Sequence, residues 1–534
     1  MTERTTRAQR LAQPRAVDAV RMLAEASGGC IRPVQLRRTN LDTGQAEQVM
    51  VPCGATLADL CPACAERTRN LRAVQCREGW HCEDEPVAQA APPDDWQAWL
   101  LEKRAEIQRL RDQAVGQDTA ELGELIAELD GELAKTGIRG NADPGPKGAT
   151  RRQRSTRRRQ DAPDLPRKKI SPHTTGKVYT AADGKRFRPS MFLTLTCDTY
   201  GRVTADGTPA DPGSYDYARA ARDAVHFAAL FDRFIQNLRR FLGQDLQYFA
   251  SIEPQRRLAP HVHLAIRGTV SRADLRQVIA ATYHQVWWPS TDIVRFDGDQ
   301  LPAWHAASGR YVDPATGEVL PTWDQALDAI GPEDVPLHVA RFGPKFDAQG
   351  VLAGSKDSGR CIRYLTKYLT KHIAGCHQAD TDAQHDHAAR LLDALRHEPC
   401  SPGCANWLRY GIQPKDAKEE MQPGACKGKA HRPENLGYAG RRVLVSRKWS
   451  GKTLADHRGD RKTWLLNMLG LPDTADEARY RWDRVTPADD DFLTHGRRML
   501  YVLADRARWQ DALTEARRRA QEATGNLSAT GRAA

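Results

Sequence analysis

Glu253 to His263 reads EPQRRLAPHVH, and further along the chain Tyr364 to Lys371 reads YLTKYLTK. A carboxylate and two histidines at hairpin spacing can hold one divalent ion, leaving its other positions open to water or a phosphate oxygen. Such a donor set, here Glu253, His261 and His263, suits Mg or Mn acting as a Lewis acid. Two tyrosines, Tyr364 and Tyr368, each followed three residues later by a lysine, Lys367 and Lys371, supply a nucleophile and an ammonium to neutralise developing charge. A tyrosine hydroxyl of ordinary pKa about 10 needs that help at neutral pH. Together these residues describe metal-assisted attack of tyrosine on a phosphate.

The elements that would position them follow from periodicity. Side chains alternate across a strand, so His261 and His263 share one face while Val262, Leu264 and Ile266 take the other. On the partner strand Tyr248, Ala250 and Ile252 share the core face, which leaves Glu253 beside the histidines at the hairpin mouth. On a helix Tyr364, Tyr368 and Lys371 cluster on one side, with Ile362, Leu365, Leu369 and Ile373 opposite. An isolated H-x-H is more often the solvated face of an ordinary strand, and an isolated Y-x3-Y two half-buried aromatics. The combination carries the reading.

Around these motifs the chain alternates strand and helix signals. MFLTLT from Met191 to Thr196 reads as a central strand, Tyr215 to Leu242 as a helix, and Leu246 to Glu253 with His261 to Arg267 as a hairpin. A helix from Ser271 to about Val286, a Trp- and Pro-rich insertion to about Pro336, the strand LHVARF and the tyrosine helix complete the series. This βαββαβ order predicts an α+β fold, a central antiparallel ferredoxin-like sheet with flanking helices, plus small zinc-binding modules and helical segments.

Cysteines mark two such modules. Cys61-Pro-Ala-Cys64 is a knuckle with Cys30 and Cys53 before it and Cys76, His81 and Cys82 after it; a closed zinc site takes four of these. Cys400 and Cys404 with Cys426 and His431 form a second zinc loop. Cys197, Cys361 and Cys376 stand apart and read as packing residues. Between the first module and the sheet lie two helices broken near Gly116, then a linker from Thr136 to Lys169 containing RRQRSTRRRQ, too basic and too poor in apolar residues to order itself. The expected plan is residues 1–90 zinc module, 91–170 helical hairpin and linker, 171–398 nuclease domain, 399–457 zinc loop and 458–534 helical.

A chain of 534 residues exceeds one hydrophobic core, and its net charge of +11 favours a polyanionic partner, nucleic acid first. No apolar run reaches the roughly 18 residues of a membrane span, and the first residues lack the apolar segment of a signal peptide, so cytoplasmic residence without membrane contact is expected. In that reducing compartment clustered cysteines bind metal rather than form disulfides. Ser450 to Thr453 reads SGKT, but the first glycine of a phosphate loop is replaced by Ser446, so no nucleotide site is expected.

The ordered segments FLTLT, HVH and YLTKY resemble those of the HUH endonucleases, specifically rolling-circle replication initiators. The tyrosine pair is similar to that of the gene A proteins of small coliphages. Over residues 20–90 and 175–460 the chain looks like the initiators of actinobacterial plasmids and integrative elements. The resemblance implies a site-specific DNA endonuclease and strand transferase that nicks a double-strand origin, leaving a 3′-hydroxyl for a host polymerase and a 5′-phosphotyrosine. It places Tyr364 and Tyr368 as nucleophiles, Lys371 as the motif lysine, Glu253, His261 and His263 on the catalytic metal, and Cys30, Cys53, Cys61 and Cys64 on zinc. Partners would be origin DNA, duplex and single-stranded, and a host helicase. A tyrosine at the first position favours a second transesterification closing the displaced strand. Conjugative relaxases place the tyrosine before the histidines, whereas here it follows; a single-strand transposase shares the order, and a non-catalytic zinc-containing repressor would use only the basic and zinc segments.

Overall fold

The computed structural model describes residues 14–80, 95–114, 117–135, 179–180, 184, 186–187, 190–331, 333–351, 355–377, 379–470 and 480–530. The basic linker, and His81 and Cys82 among the zinc candidates, lie outside the described residues. Two units result, Met1–Pro86 with Arg158–Ala534, and Val87–Arg157.

In the first unit, α1 (Pro14–Ala26) leads to Cys30, the hairpin β1 (Val34–Asn40) and β2 (Ala46–Val51), and α2 (Pro62–Trp80). The second unit holds α3 (Asp95–Gln113) and α4 (Gln117–Lys135), which pack through buried Leu100, Ile126 and Leu133 and join Arg104 to Asp130 at 2.5 Å.

Back in the first unit, the two-residue strands β3 (Tyr179–Thr180) and β4 (Arg186–Phe187) pair with each other. There follow β5 (Ser190–Cys197), α5 (Tyr217–Leu242), β6 (Tyr248–Pro254), β7 (Pro260–Arg267), α6 (Arg272–Ala281) and β8 (Tyr283–Val286). The insertion carries β9 (Ala303–His305), β10 (Arg310–Val312) and α7 (Trp323–Asp328), and β11 (His338–Val351) returns to the sheet. Its order is β12-β6-β7-β5-β11-β8, with β12 (Val443–Val445) at one edge and every neighbouring pair antiparallel.

Local chemistry sets these elements. Asp216 caps α5 by accepting from the Arg219 N–H, and Gly243 ends it at φ 65, a left-handed turn that glycine adopts without Cβ strain. The apolar stripe of α5, Phe227, Leu230, Phe231 and Phe234, packs on Leu193, Leu195, Ala250, Ile252, Val262, Leu264 and Ile266. Each such burial contributes about 1.5–3 kcal/mol. The opposite sheet face, Phe192, Phe249 and Ala265, is covered by Trp80 of α2, Trp449, and Cys361, Ile362 and Leu365 of α8 (Lys356–Thr366). The face that carries the histidines is therefore buried.

In the sheet and the tyrosine helix, three sequence expectations change. The helix expected from Ser271 to Val286 stops at Ala281, because Thr282 turns extended (φ −94, ψ 121) and Tyr283 to Val286 pair with β11. LHVARF is only the start of a strand reaching Val351, bulged between Phe342 and Phe346, which accepts β5 on one side and β8 on the other. The tyrosine helix ends at Thr366 with Lys367 as its cap, so Tyr368 and Lys371 lie in the turns beyond it and the tyrosines do not share one regular helix face. The Thr366 hydroxyl bonds back to the Ile362 carbonyl at 2.8 Å and reaches the Arg363 carbonyl at 3.4 Å, the acceptor a continuing helix would offer to Lys367, whose N–H instead donates to Tyr364.

After α9 (Ala374–His377) and α10 (Asp382–His397) the chain forms the second cysteine loop, against which Trp288 and Trp323 of the insertion pack through Trp407. Then come α11 (Leu454–Leu469), β13 (Tyr480–Arg484) and α12 (His495–Thr530). The C-terminal stretch is not wholly helical: β13 pairs with β1 in a three-stranded sheet, and Met499 of α12 enters the core around Cys30, Cys61 and Cys64. Thr453 of SGKT caps α11 and Lys452 pairs with Asp460 at 2.8 Å. Among the described residues no helix is long and apolar enough to cross a membrane.

Candidate active site

Register brings the hairpin ligands together. Glu253 on β6 stands opposite His261 on β7, and on the other side β5 sets Thr196 opposite His261 and Thr194 opposite His263. The Nε2 atoms of His261 and His263 are 2.7 Å apart, and Glu253 Oε1 is 3.1 Å from His263 Nε2. All three residues are buried, with ligand atoms within 4.8 Å of one another. Each Nδ1 meets a threonine hydroxyl, His263 with Thr194 at 2.9 Å and His261 with Thr196 at 2.7 Å. Donating Nδ1–H to the threonine leaves the Nε2 lone pairs aimed at one point. Burial, then His263 and Arg257, hold the His261 pKa well below its ordinary value, keeping the imidazole neutral as ligation requires. Two imidazole nitrogens and a carboxylate facing one another fit a divalent ion with open positions.

Tyr364, in the last turn of α8, lies edge-on to His263 with ring centroids 4.5 Å apart, and Phe192 stacks parallel on the same imidazole at 5.7 Å. Burial, then the Glu253 carboxylate, raise the Tyr364 pKa, while Lys367 pulls the other way. A cation between Glu253 and the histidines would reverse the carboxylate's effect. The sequence assigned one lysine to each tyrosine, but both converge on Tyr368, with Nζ of Lys367 4.6 Å and of Lys371 5.7 Å from its ring centroid. The two tyrosines, the three ligands, Thr194, Gln255, Arg256, Arg257 and His377 line one open cleft of about 660 Å³.

The cysteine sets also assemble. Cys30, Cys53, Cys61 and Cys64 bring their sulfurs within 4.8 Å of one another. The Cys53 N–H donates to Cys30 Sγ at 3.3 Å. Hydrogen bonding to Cys64 leads in drawing the Cys30 thiol down to about 5, while the same bond and burial push Cys64 up. Four thiols in one shell cannot all ionise unless a cation joins them. Cys400, Cys404, Cys426 and His431 form the second set, where His431 Nδ1 meets the Leu395 carbonyl at 3.0 Å and Nε2 faces Cys404 Sγ at 3.5 Å. A Cβ on Gly428 would lie 3.0 Å from Cys400 Sγ and 3.2 Å from Cys426 Sγ, so the backbone itself walls this site. Both sets have the donors of a closed tetrahedral site. Cys76, Cys197 and Cys361 are buried outside the clusters, and Cys376 accepts a hydrogen bond from Arg442 at 2.7 Å.

The residues that sequence reading missed are the orienting threonines. Within FLTLT the sequence marks Thr194 and Thr196 as strand residues and not as partners of the histidines, although their period-two spacing matches His261 and His263 once the strands are paired.

The cleft joins a candidate metal centre to two phenols on a sheet-and-helix scaffold. The chain belongs to the RepSA family, described as the replication initiator protein of pSAM2, whose match spans residues 16–514. It is also similar to a replication initiator protein of Streptomyces ambofaciens, 26% identical over 249 residues. That match covers 40% of this chain, which spans half the length of the relative. No solved structure matches the chain.

Proposed function

We propose that this protein initiates rolling-circle replication of a plasmid-type element by nicking and rejoining one DNA strand at the origin. The carrying observation is that Glu253, His261, His263, Tyr364 and Tyr368 line one cleft. The family membership and the strand order of β6, β7, β5 and β11, which suits a ferredoxin-like nuclease sheet, support the reading. Glu253, His261 and His263 would hold Mg or Mn, which when bound supplies Lewis-acid polarisation of the scissile phosphate.

The chain's own groups do the rest. A tyrosine Oη forms a bond to phosphorus while the P–O3′ bond breaks, yielding a 5′-phosphotyrosine and a 3′-hydroxyl. Lys367 and Lys371 stabilise the phenolate of Tyr368, and Arg256 at the cleft edge offers a cation to a neighbouring phosphate. The second tyrosine accepts the strand in a later transfer that releases the first. Zinc at the two cysteine sets would order the modules around the sheet. Origin DNA in duplex and single-stranded form, a host helicase and a polymerase are the partners this role requires.

The test is covalent capture of protein on a labelled supercoiled plasmid carrying the element's origin, with and without Mn. The expected result is a Mn-dependent adduct lost in the Tyr364→Phe, Tyr368→Phe double variant. No adduct from the wild type would overturn the reading in favour of a DNA-binding repressor. Scoring nicking and rejoining separately in the single variants tests alternation of the tyrosines; full activity of both in both assays refutes it.

A further inference from the structure

The tyrosine segment leaves its helix at Thr366, and short turns alone continue it: the Leu369 N–H donates to Thr366 and the Lys371 N–H to Tyr368. Its anchors come from elsewhere in the chain. The Ala58 N–H donates to the Thr370 carbonyl at 2.8 Å, the Asp59 carboxylate meets His372 Nε2 at 2.6 Å, and Arg442 Nη1 donates to the Lys371 carbonyl at 2.7 Å. Ala58 and Asp59 lie on the loop between Cys53 and Cys61, and both ends of that loop belong to the Cys30 cluster. From the same cluster α2 runs to Cys76 and Trp80, which pack on Cys361, Ile362 and Leu365 of α8.

We propose that the Cys53–Cys61 loop is a positioning device for the tyrosine segment, holding the turn that carries Tyr368 over the Glu253–His261–His263 cleft through Ala58 and Asp59. The proposal rests on the tyrosine chemistry of the preceding section. It gives a second role to a cysteine set that looks purely structural. A loop whose two ends are fixed to one ion has few conformations, so its contacts with Thr370 and His372 are pre-organised; freed at one end, it must lose that entropy at each encounter. A solvent-accessible carboxylate–imidazole contact such as Asp59 with His372 adds little stability alone, so its value here is geometric.

The two tyrosines depend on the loop unequally. Tyr364 is carried by α8, whose buried stripe fixes it, whereas Tyr368 sits beyond the last helical turn and owes its placement to the loop contacts. Loosening the loop is therefore expected to impair Tyr368 before Tyr364.

The experiment uses the full-length zinc-loaded protein and three variants. Asp59→Ala removes the side-chain contact, Ala58→Pro removes the N–H that reaches Thr370, and Asp59→Asn retains an acceptor for His372. One readout needs no nicking: the rate of tryptic cleavage after Lys367 and Lys371. The other is the ratio of Tyr364- to Tyr368-linked adducts on origin plasmid with Mn, read by mass spectrometry of the captured peptides. Zinc content and origin affinity equal to wild type confirm that each variant is folded. Expected are several-fold faster cleavage and a several-fold lower share of Tyr368 adducts in Asp59→Ala and Ala58→Pro, with Asp59→Asn restoring both. Unchanged cleavage rates and adduct ratios in folded variants overturn the proposal. A wild type that forms no adduct overturns the function reading instead, and the cleavage rates alone then decide the positioning proposal.

Discussion

At the scale of single residues, the decisive contacts are those between β5 and β7. The Thr194 and Thr196 hydroxyls occupy the Nδ1 atoms of His263 and His261 and so decide which nitrogen is free. Partners of this kind are typically worth about 10–100-fold in metal affinity. Thr194→Val and Thr196→Val, near-isosteric and at half-buried positions, are expected to weaken Mn binding by about that factor in a calorimetric titration while unfolding like the wild type. A second prediction concerns protons. Burial, followed by neighbouring charge, holds the pKa of His284 and of His387 down to about 4 from an ordinary 6.5. Between pH 6.5 and 4 the unfolded chain therefore binds protons that the folded chain refuses, and stability falls as pH falls through that window. Urea midpoints measured from pH 7.5 to 4.5 should decline, and His387→Gln should flatten the decline.

At the scale of elements, α8 and the turns after it separate two tyrosines that a helical wheel would place side by side. The helix is fixed by its contact with α2 and Trp449, and the closest approach there belongs to Gly79. A Cβ at Gly79 would lie 2.2 Å from the Trp449 ring, while its carbonyl accepts from Arg267 at 2.6 Å. Gly79→Ala must push Trp449 away from Phe249 and the α8 contact, an overpacking cost of about 1–3 kcal/mol. A lowered thermal midpoint with unchanged zinc content is the expected outcome.

At the scale of the whole molecule, the two ends of the chain build one module. β13 supplies the third strand beside β1, and Met499 of α12 completes the apolar shell of the first cysteine cluster. Truncation after residue 470 removes both, exposing the β1 edge and Val20, Ala24 and Ile31. The truncated protein is expected to release zinc faster to a chromogenic chelator and to be cut by trypsin within its first 80 residues; release kinetics equal to the full-length chain would contradict this dependence.

Periodicity and spacing made the ligand triad, the second cysteine set, four sheet strands and the helix over Tyr217–Leu242 legible, whereas Cys30, Cys53, Cys61 and Cys64 stood out from a longer cysteine list only through the family resemblance. Alternation along a strand and ligand spacing are properties of neighbouring residues, which a sequence states directly. What tertiary structure decided lies in pairings between distant segments: the threonines behind the histidines, β8 where a helix was expected, β13 beside β1, and the end of α8 at Thr366. The tyrosine segment shows the reason. Its amphipathic pattern continues to Ile373, so local propensity favours a longer helix, but the Thr366 hydroxyl, the Ala58 N–H and the Asp59 carboxylate offer its backbone and side chains other partners. Two of those partners lie about three hundred positions away in the chain, where no periodicity can register them.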